Sequence, residues 1–149
     1  MEQSTAMPSA QRTIVINRPV EDVFAFFTDP ANELNWRTHV KEVSAPDPVA
    51  VGTRIHQVVQ APGGRGIPAD IEVTAYEPLT LYAFRVVAGP VRPVGEFRFV
   101  PDGDSTRVSL SLASELSGLK KLLLSRPVQS SMNGQMHALD RAKAVIEGS

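Results

Sequence analysis

Three histidines are the side chains in this sequence best suited to moving a proton near neutral pH: His39, His56 and His137. None of them has a partner at the spacing of an HxH or HExxH motif, so we do not expect a zinc or iron site. His56 lies in the middle of the strand-like run TRIHQVV, and His137 follows Met136 in the last helical stretch. Each is either a proton-transfer group in a cavity or an ordinary surface or hydrogen-bonded histidine.

Other kinds of catalytic group find little support. The chain has no cysteine, which excludes disulfides, thiolate metal sites and a cysteine nucleophile. The serines of SLSLASELS alternate along a strand-like run, and none lies in a GxSxG elbow. The run PGGRG lacks the GK[ST] ending of a phosphate loop and leads into a strand. The sequence therefore indicates no metal, nucleotide or other cofactor.

Four acidic residues lie on predicted strands: Asp70, Glu72, Glu96 and Glu115. In EFRFV the alternation turns Phe97 and Phe99 toward the core, and Glu96 and Arg98 away from it. The run DIEVTA alternates in the same way, with one apolar face made of Ile71, Val73 and Ala75. We therefore expect these acids to form a charged outer face of a sheet.

The orientation of Arg85 is left open by the pattern, because both faces of LYAFRVV are apolar. If Tyr82 and Phe84 point inward, Arg85 lies outside the sheet. If Leu81 and Ala83 point inward instead, Arg85 enters the interior and must find an anionic partner or ligand group, since a buried unpaired charge is costly.

The elements that would position these side chains begin with a strand-like run, RTIVIN, followed by Pro19, which suits the first turn of a helix. Apolar residues then follow at i, i+3, i+4 and i+7: Val20, Val23, Phe24 and Phe27. Asp29-Pro30 ends this helix, and Asp29 caps a second short helix that runs to about Leu34. Trp36, the only tryptophan, comes directly afterwards, as core packing or as pocket lining.

The middle of the chain has β texture. Strands are predicted in THVKEVSA, GTRIHQVVQ, IPADIEVTAY and LTLYAFRVVAG, followed by a hairpin with DGDS as its turn. Turns this short require antiparallel neighbours.

A long helix is predicted to begin near residues 125–127, because Pro127 is tolerated only in the first turn of a helix. The run LSGLKKLLLS forms a shorter amphipathic piece before it. Met132, Met136, Leu139 and Ile146 lie on one face of the long helix.

These elements predict an α+β fold: a curved antiparallel sheet of about seven strands wrapped around a long C-terminal helix, with two short helices after the first strand. Such a sheet leaves a hollow against the helix. The apolar wall of this hollow is expected from Phe24, Phe27, Trp36, Phe97, Phe99, Met132, Met136 and Leu139. The candidates for the few polar contacts that orient a ligand are His56, Arg85 or Tyr82.

The length and composition are those of one globular domain. We place this domain at residues 12–149, behind a flexible N-terminus of residues 1–11. With 15 Lys+Arg against 16 Asp+Glu, the net charge of -1 provides no broad basic field for nucleic acid. The opening MEQSTAMPSAQR is not built like a signal peptide, and no window has the roughly 18 apolar residues of a membrane span. We therefore expect a cytoplasmic protein.

Four stretches resemble the SRPBCC superfamily, and within it the polyketide cyclase/dehydrase-like group: INRPVEDVFAFFTDPANELNW, GTRIHQVV, ADIEVTAYEPLTLYAFRVVAGP and GEFRFVPDGDSTRVSLSL. The resemblance runs from about Arg12 to Ile146. It implies the helix-grip fold shared with START domains and birch-pollen allergens, and a cavity for a small hydrophobic or amphiphilic molecule. It does not imply one reaction.

Three functional hypotheses follow. The first is binding of one small hydrophobic or amphiphilic molecule, such as a lipid, in the internal cavity. The second is a cyclase or dehydratase type of enzyme in which one polar group such as His56 shifts a proton. The third is an interaction module, which predicts a filled interior and a sizeable exposed apolar patch. A homodimer is left open.

Overall fold

The computed structural model describes residues 7–61 and 63–148. Along the chain lie β1 (Ser9–Ile16), α1 (Val20–Thr28), a 3-10 turn (Pro30–Asn32), α2 (Glu33–Trp36), β2 (Val40–Ser44), β3 (Arg54–Gln60), β4 (Gly66–Pro68), β5 (Ile71–Glu77), β6 (Leu81–Val86), β7 (Val94–Asp102), β8 (Ser105–Ala113) and α3 (Gly118–Glu147). Residues 1–6 of the predicted flexible N-terminus lie outside the described residues, and β1 already begins at Ser9.

The sheet is antiparallel throughout, in the order β1-β8-β7-β6-β5-β3-β2, with the short β4 added beside β3. The first strand pairs with the last, from Ser9 opposite Ala113 to Ile16 opposite Thr106. The sheet curls around α3, and α1 and α2 follow the first strand. The predicted helix-grip fold is confirmed.

The first short helix forms as the apolar spacing predicts, and the second follows the predicted cap at Asp29. Helix α1 carries Glu21 and Asp22 in its first turn, where the helix dipole favours negative charge. Its buried face contains Val20, Val23, Phe24 and Phe27. The carboxylate of Asp29 accepts a hydrogen bond of 3.0 Å from the backbone nitrogen of Ala31 and so caps the turn that leads into α2.

The long helix differs from the prediction, because α3 begins at Gly118 and continues through Pro127 as one rod of 30 residues. Pro127 has no N–H, so the carbonyl of Leu123 loses its partner four residues later. Both residues are exposed, and water can satisfy that carbonyl. From Gly118 onward, the run LSGLKKLLLS is therefore the first part of α3 and not a separate helix.

The run IPADIEVTAY also differs, since it forms two strands, β4 and β5, with Asp70 between them. The pairing of β5 with β6 shifts register between Val73 and Ala75. This irregularity carries Tyr76 to the inner face, where its ring centroid lies 5.5 Å from that of Phe24, and leaves Ala75 half-buried. Strict alternation had placed Ala75 inside.

The hairpin of β7 and β8 follows the predicted alternation. Its inward residues are buried: Phe97, Phe99, Val108, Leu110 and Leu112. Gly95 lies opposite Phe84 in the β6–β7 pairing. A Cβ atom on Gly95 would come within 2.5 Å of Phe84 Cζ and 2.7 Å of Leu112 Cδ2, so the missing side chain is what lets the Phe84 ring lie across β7.

Within the described ranges, no helix combines the length and apolar character needed to cross a membrane.

Candidate functional site

The interior between the sheet and α3 is lined by aromatic rings. The ring of Phe27 lies at the centre, with ring centroids 4.9 Å from Phe97 and 5.4 Å from Trp36. Phe24 contacts Phe99 edge to face at 5.1 Å. The predicted wall residues on α3 are buried in the same cluster: Met132, Met136 and Leu139. The structure thus brings the predicted apolar wall together, and the role of these side chains in binding a ligand stays a prediction.

Arg85 does not enter this interior. Its Nε donates a hydrogen bond of 2.8 Å to Glu72 Oε1, and the two residues are direct cross-strand partners on the outer face. Tyr82 is the residue of β6 that is buried in the core. The placement of Arg85 among the cavity contacts is therefore wrong, because the neighbouring strand supplies its anion on the outside.

His56 is also on the outer face. Its Nδ1 lies 2.9 Å from Asp70 Oδ1, and Asp70 accepts further hydrogen bonds from Arg54 Nε and from the backbone nitrogen of Gln57. Burial would raise the pKa of Asp70, but the hydrogen bonds from Arg54, Gln57 and His56 outweigh it and hold the pKa below its ordinary value. His56 is thus part of a surface ion-pair group, and the predicted cavity position for it is wrong.

The polar group next to the aromatic interior consists of residues that the sequence did not single out together. Arg37 Nη1 donates to Glu33 Oε2 at 2.8 Å and to Gln57 Oε1 at 3.3 Å, and Arg37 Nε donates to Gln135 Oε1 at 3.0 Å. Arg37 Nη2 lies 3.4 Å from His39 Nε2. We call these five residues the Arg37 cluster. The side chains of Arg37 and Glu33 are each only 15% exposed.

Three parts of the fold converge on the Arg37 cluster. Glu33 and Arg37 are four residues apart across the single turn of α2, a spacing that favours an ion pair. Gln57 is buried on β3, two residues after the buried Ile55. Gln135 lies on α3 directly before the buried Met136. In the sequence, the i, i+4 spacing of Glu33 and Arg37 indicates an ion pair, but nothing there indicates that Gln57 and Gln135 join it.

His39 is held as an uncharged acceptor. Gln135 Nε2 lies 2.9 Å from His39 Nε2, and both Gln135 Nε2 and Arg37 Nη2 can only donate. Burial, and then the charge of Arg37, lower the pKa of His39 to about 4. The imidazole therefore carries its single proton on Nδ1 at neutral pH and presents Nε2 as a lone-pair acceptor.

Tyr82 is a polar side chain of the aromatic interior, and the charge of Glu33 in the Arg37 cluster acts on it. Burial, the negative charge of Glu33 and the neighbouring Tyr76 raise the pKa of the Tyr82 phenol above its ordinary value. The phenol is therefore a protonated donor across the physiological range. Its ring lies 6.3 Å from that of Phe97.

The indole nitrogen of Trp36 is another polar atom in the aromatic interior. Its indole Nε1 is buried and has no hydrogen-bond acceptor among residues 7–61 and 63–148. A buried donor without a partner costs about 1–3 kcal/mol. A ligand oxygen that reached this N–H would recover that cost.

Two surface grooves lie away from the Arg37 cluster. One, of about 550 Å³, runs over the outer sheet face past Thr74, Arg85 and Glu96. The other, of about 350 Å³, lies between α1 and the end of α3, beside Asp22 and Val145. Neither groove touches the buried polar atoms described above.

The family model described as "Polyketide cyclase / dehydrase and lipid transport" matches residues 7–147. The chain belongs to this polyketide cyclase/dehydrase and lipid transport family. A search of curated proteins found no match.

Solved structures share the fold of this family member. A protein from Thermus thermophilus is 22% identical with a TM-score of 0.78, over 95% of this chain and 98% of its own. A START superfamily protein from Mycobacterium smegmatis is 15% identical with a TM-score of 0.76, over 94% of this chain and 97% of its own. The di-domain ARO/CYC protein StfQ from the steffimycin biosynthetic pathway is 13% identical with a TM-score of 0.77, over 95% of this chain and 51% of its own. At these identities the likeness concerns the fold.

Proposed function

We propose that this protein binds one small amphiphilic molecule in the interior between the sheet and α3. The apolar body of the ligand would lie among Phe27, Phe97 and Met136, and its polar end at Trp36 and the Arg37 cluster. The observation that carries this proposal is the buried N–H of Trp36, which has no acceptor among the described residues although it lies within a well-packed aromatic cluster.

The charges of the Arg37 cluster favour a neutral polar group on the ligand. Arg37 is positive, Glu33 is negative, and His39 is uncharged at neutral pH, so the cluster is balanced. A carboxylate or phosphate brought into it would lack a counter-charge in a poorly hydrated place. A ketone, phenol or alcohol oxygen would instead find donors and acceptors without upsetting that balance.

The interior must open to admit such a molecule, since the described side chains pack against one another. The hydrogen bond of 3.0 Å from Lys120 Nζ to the carbonyl of Pro90 joins the start of α3 to the loop between β6 and β7. The lysine that makes this contact is exposed. This junction is the entrance that we propose.

A second candidate function is an enzyme of the cyclase or dehydratase type acting in the same interior. It is favoured by the protonated phenol of Tyr82, which can donate to a carbonyl oxygen. The family description and the ARO/CYC structure agree with this candidate. It would require binding first.

The decisive experiment begins with native mass spectrometry of freshly purified protein and identification of any molecule that solvent extraction releases. Calorimetric titration with 2-naphthol and with 2-naphthoate then compares a neutral and an anionic oxygen on the same rings. We expect 2-naphthol to bind and 2-naphthoate to bind at least about tenfold more weakly. A clean apo mass together with no binding of 2-naphthol would overturn the proposal.

A further inference from the structure

The first two turns of α3 expose an unusual set of large apolar side chains. Leu119 is 68% exposed, Leu122 80% and Leu123 60%. Their spacing of i, i+3 and i+4 places them on one side of the helix. The other side is turned to the protein, where Leu124 packs against the core and Val128 is buried. We call Leu119, Leu122 and Leu123 the leucine face.

Positive charge accompanies the leucine face, and the stretch of sequence around it has no acidic residue. Two lysines, Lys120 and Lys121, lie in the same two turns, and Arg126 follows directly after them. Residues 116–139 contain no Asp or Glu, although the whole chain has a net charge of -1. The start of α3 is therefore a local cationic and apolar surface on a chain whose net charge is slightly negative.

The shape of this surface distinguishes between kinds of partner. The three leucines stand on the outside of a helix within little more than one turn of each other, roughly 6 Å along the axis. They form a projection and not a groove. A deformable surface can receive such a projection, and amphipathic helices with leucines flanked by lysine and arginine lie in the interface of anionic bilayers.

We propose that the leucine face docks this protein on an anionic lipid surface. The leucines enter the boundary between headgroups and acyl chains, while Lys120, Lys121 and Arg126 meet lipid phosphates. Docking of this kind needs no membrane-spanning segment. It goes beyond the proposed binding of a small molecule and does not depend on it.

Docking would also bring the junction of α3 with the β6–β7 loop to the lipid. The Lys120–Pro90 hydrogen bond lies within this surface. Lipid phosphate competes for the ammonium group of Lys120, so docking weakens a contact that holds the junction closed. The leucine face and the proposed entrance then lie at the same part of the protein surface, at the start of α3.

Co-sedimentation of the full chain with vesicles tests the proposal. One vesicle preparation is phosphatidylcholine alone, and the other is equal parts phosphatidylcholine and phosphatidylglycerol. We expect sedimentation with the anionic vesicles that weakens as salt is raised, and little with the neutral ones. The triple variant Leu119→Gln, Leu122→Gln, Leu123→Gln should lower the partition coefficient by at least about tenfold. Replacing Lys120, Lys121 and Arg126 by Gln should lower it by about fivefold for each charge removed.

Matched controls are available on the same chain. Leu34 and Val51 are exposed apolar residues elsewhere on the surface, and Leu34→Gln with Val51→Gln should leave sedimentation unchanged. Thermal melts of every variant report on folding. Absence of the wild-type protein from the anionic pellet would overturn the proposal, as would equal binding by the leucine variant. A change of oligomeric mass in the leucine variant, without vesicle binding by the wild type, would instead assign this surface to contact between protein chains.

Discussion

Gln135 Nε2 on α3 lies 2.9 Å from His39 Nε2, just before β2, so that a helix amide fixes the proton of this histidine on Nδ1. This contact joins the long helix to the segment that follows α2. The two other histidines, His56 and His137, are exposed on the surface. His39 instead faces two hydrogen-bond donors, which favour its neutral form over the protonated ring.

The first prediction concerns the pH dependence of stability. The pKa of His39 is about 4 in the folded protein, against 6.5 for an unperturbed histidine. Between these values the unfolded chain binds the proton and the folded protein does not, so the free energy of unfolding falls as pH is lowered from about 6.5 to about 4. Urea unfolding of the wild type and of His39→Gln at a series of pH values measures this contribution. Identical pH profiles for the two proteins would contradict it.

The second prediction compares two arginine–carboxylate pairs. Arg37 and Glu33 are each 15% exposed, whereas Arg85 and Glu72 are 56% and 32% exposed. Arg37→Met leaves the Glu33 carboxylate without its partner in a poorly hydrated place and should cost about 2–3 kcal/mol. Arg85→Met should cost at most about 1 kcal/mol. Denaturant unfolding gives both values, and adding Glu33→Gln to Arg37→Met should recover part of the loss. Equal costs would show that the Arg37 cluster is as hydrated as the outer face.

The third prediction compares two glycines. Gly95→Ala places a Cβ atom against Phe84 and Leu112 and should destabilise the protein by about 1–3 kcal/mol. Gly134 is in α3 with nothing within 4 Å of its Cβ position, so Gly134→Ala should stabilise it by up to about 1 kcal/mol. Thermal unfolding of both variants measures the difference. Effects of the same sign would refute the packing that we describe around Phe84.

The fourth prediction tests the interior as a binding site. Met136 is buried on α3, and Met136→Arg should abolish uptake of 2-naphthol because it introduces a charge into the apolar wall. Met136→Leu keeps volume and polarity and should retain binding within about threefold. Calorimetry measures affinity, and circular dichroism checks that each variant is folded. Unchanged affinity in a folded Met136→Arg protein would show that the ligand lies elsewhere.

Local patterns in the sequence determined much of the fold. The spacing of Phe24 and Phe27 sets the buried face of α1, and the alternation of Phe97 and Phe99 sets the inner face of β7. These periods follow from the geometry of one helix and one strand, so each can be recognised without knowing its neighbours. The order of elements and the short turns between them then required an antiparallel sheet around the last helix.

The tertiary structure alone decided the polar half of the site. Arg85 lies outside because Glu72 faces it across β5 and β6, and the register shift after Val73 changes which residues of β5 face inward. Arg37, Gln57 and Gln135 come from three separate elements and meet only when the sheet has curled around α3. Hydrogen bonds between residues so far apart leave no period in the sequence, because the distance that matters to them is measured in space and not along the chain.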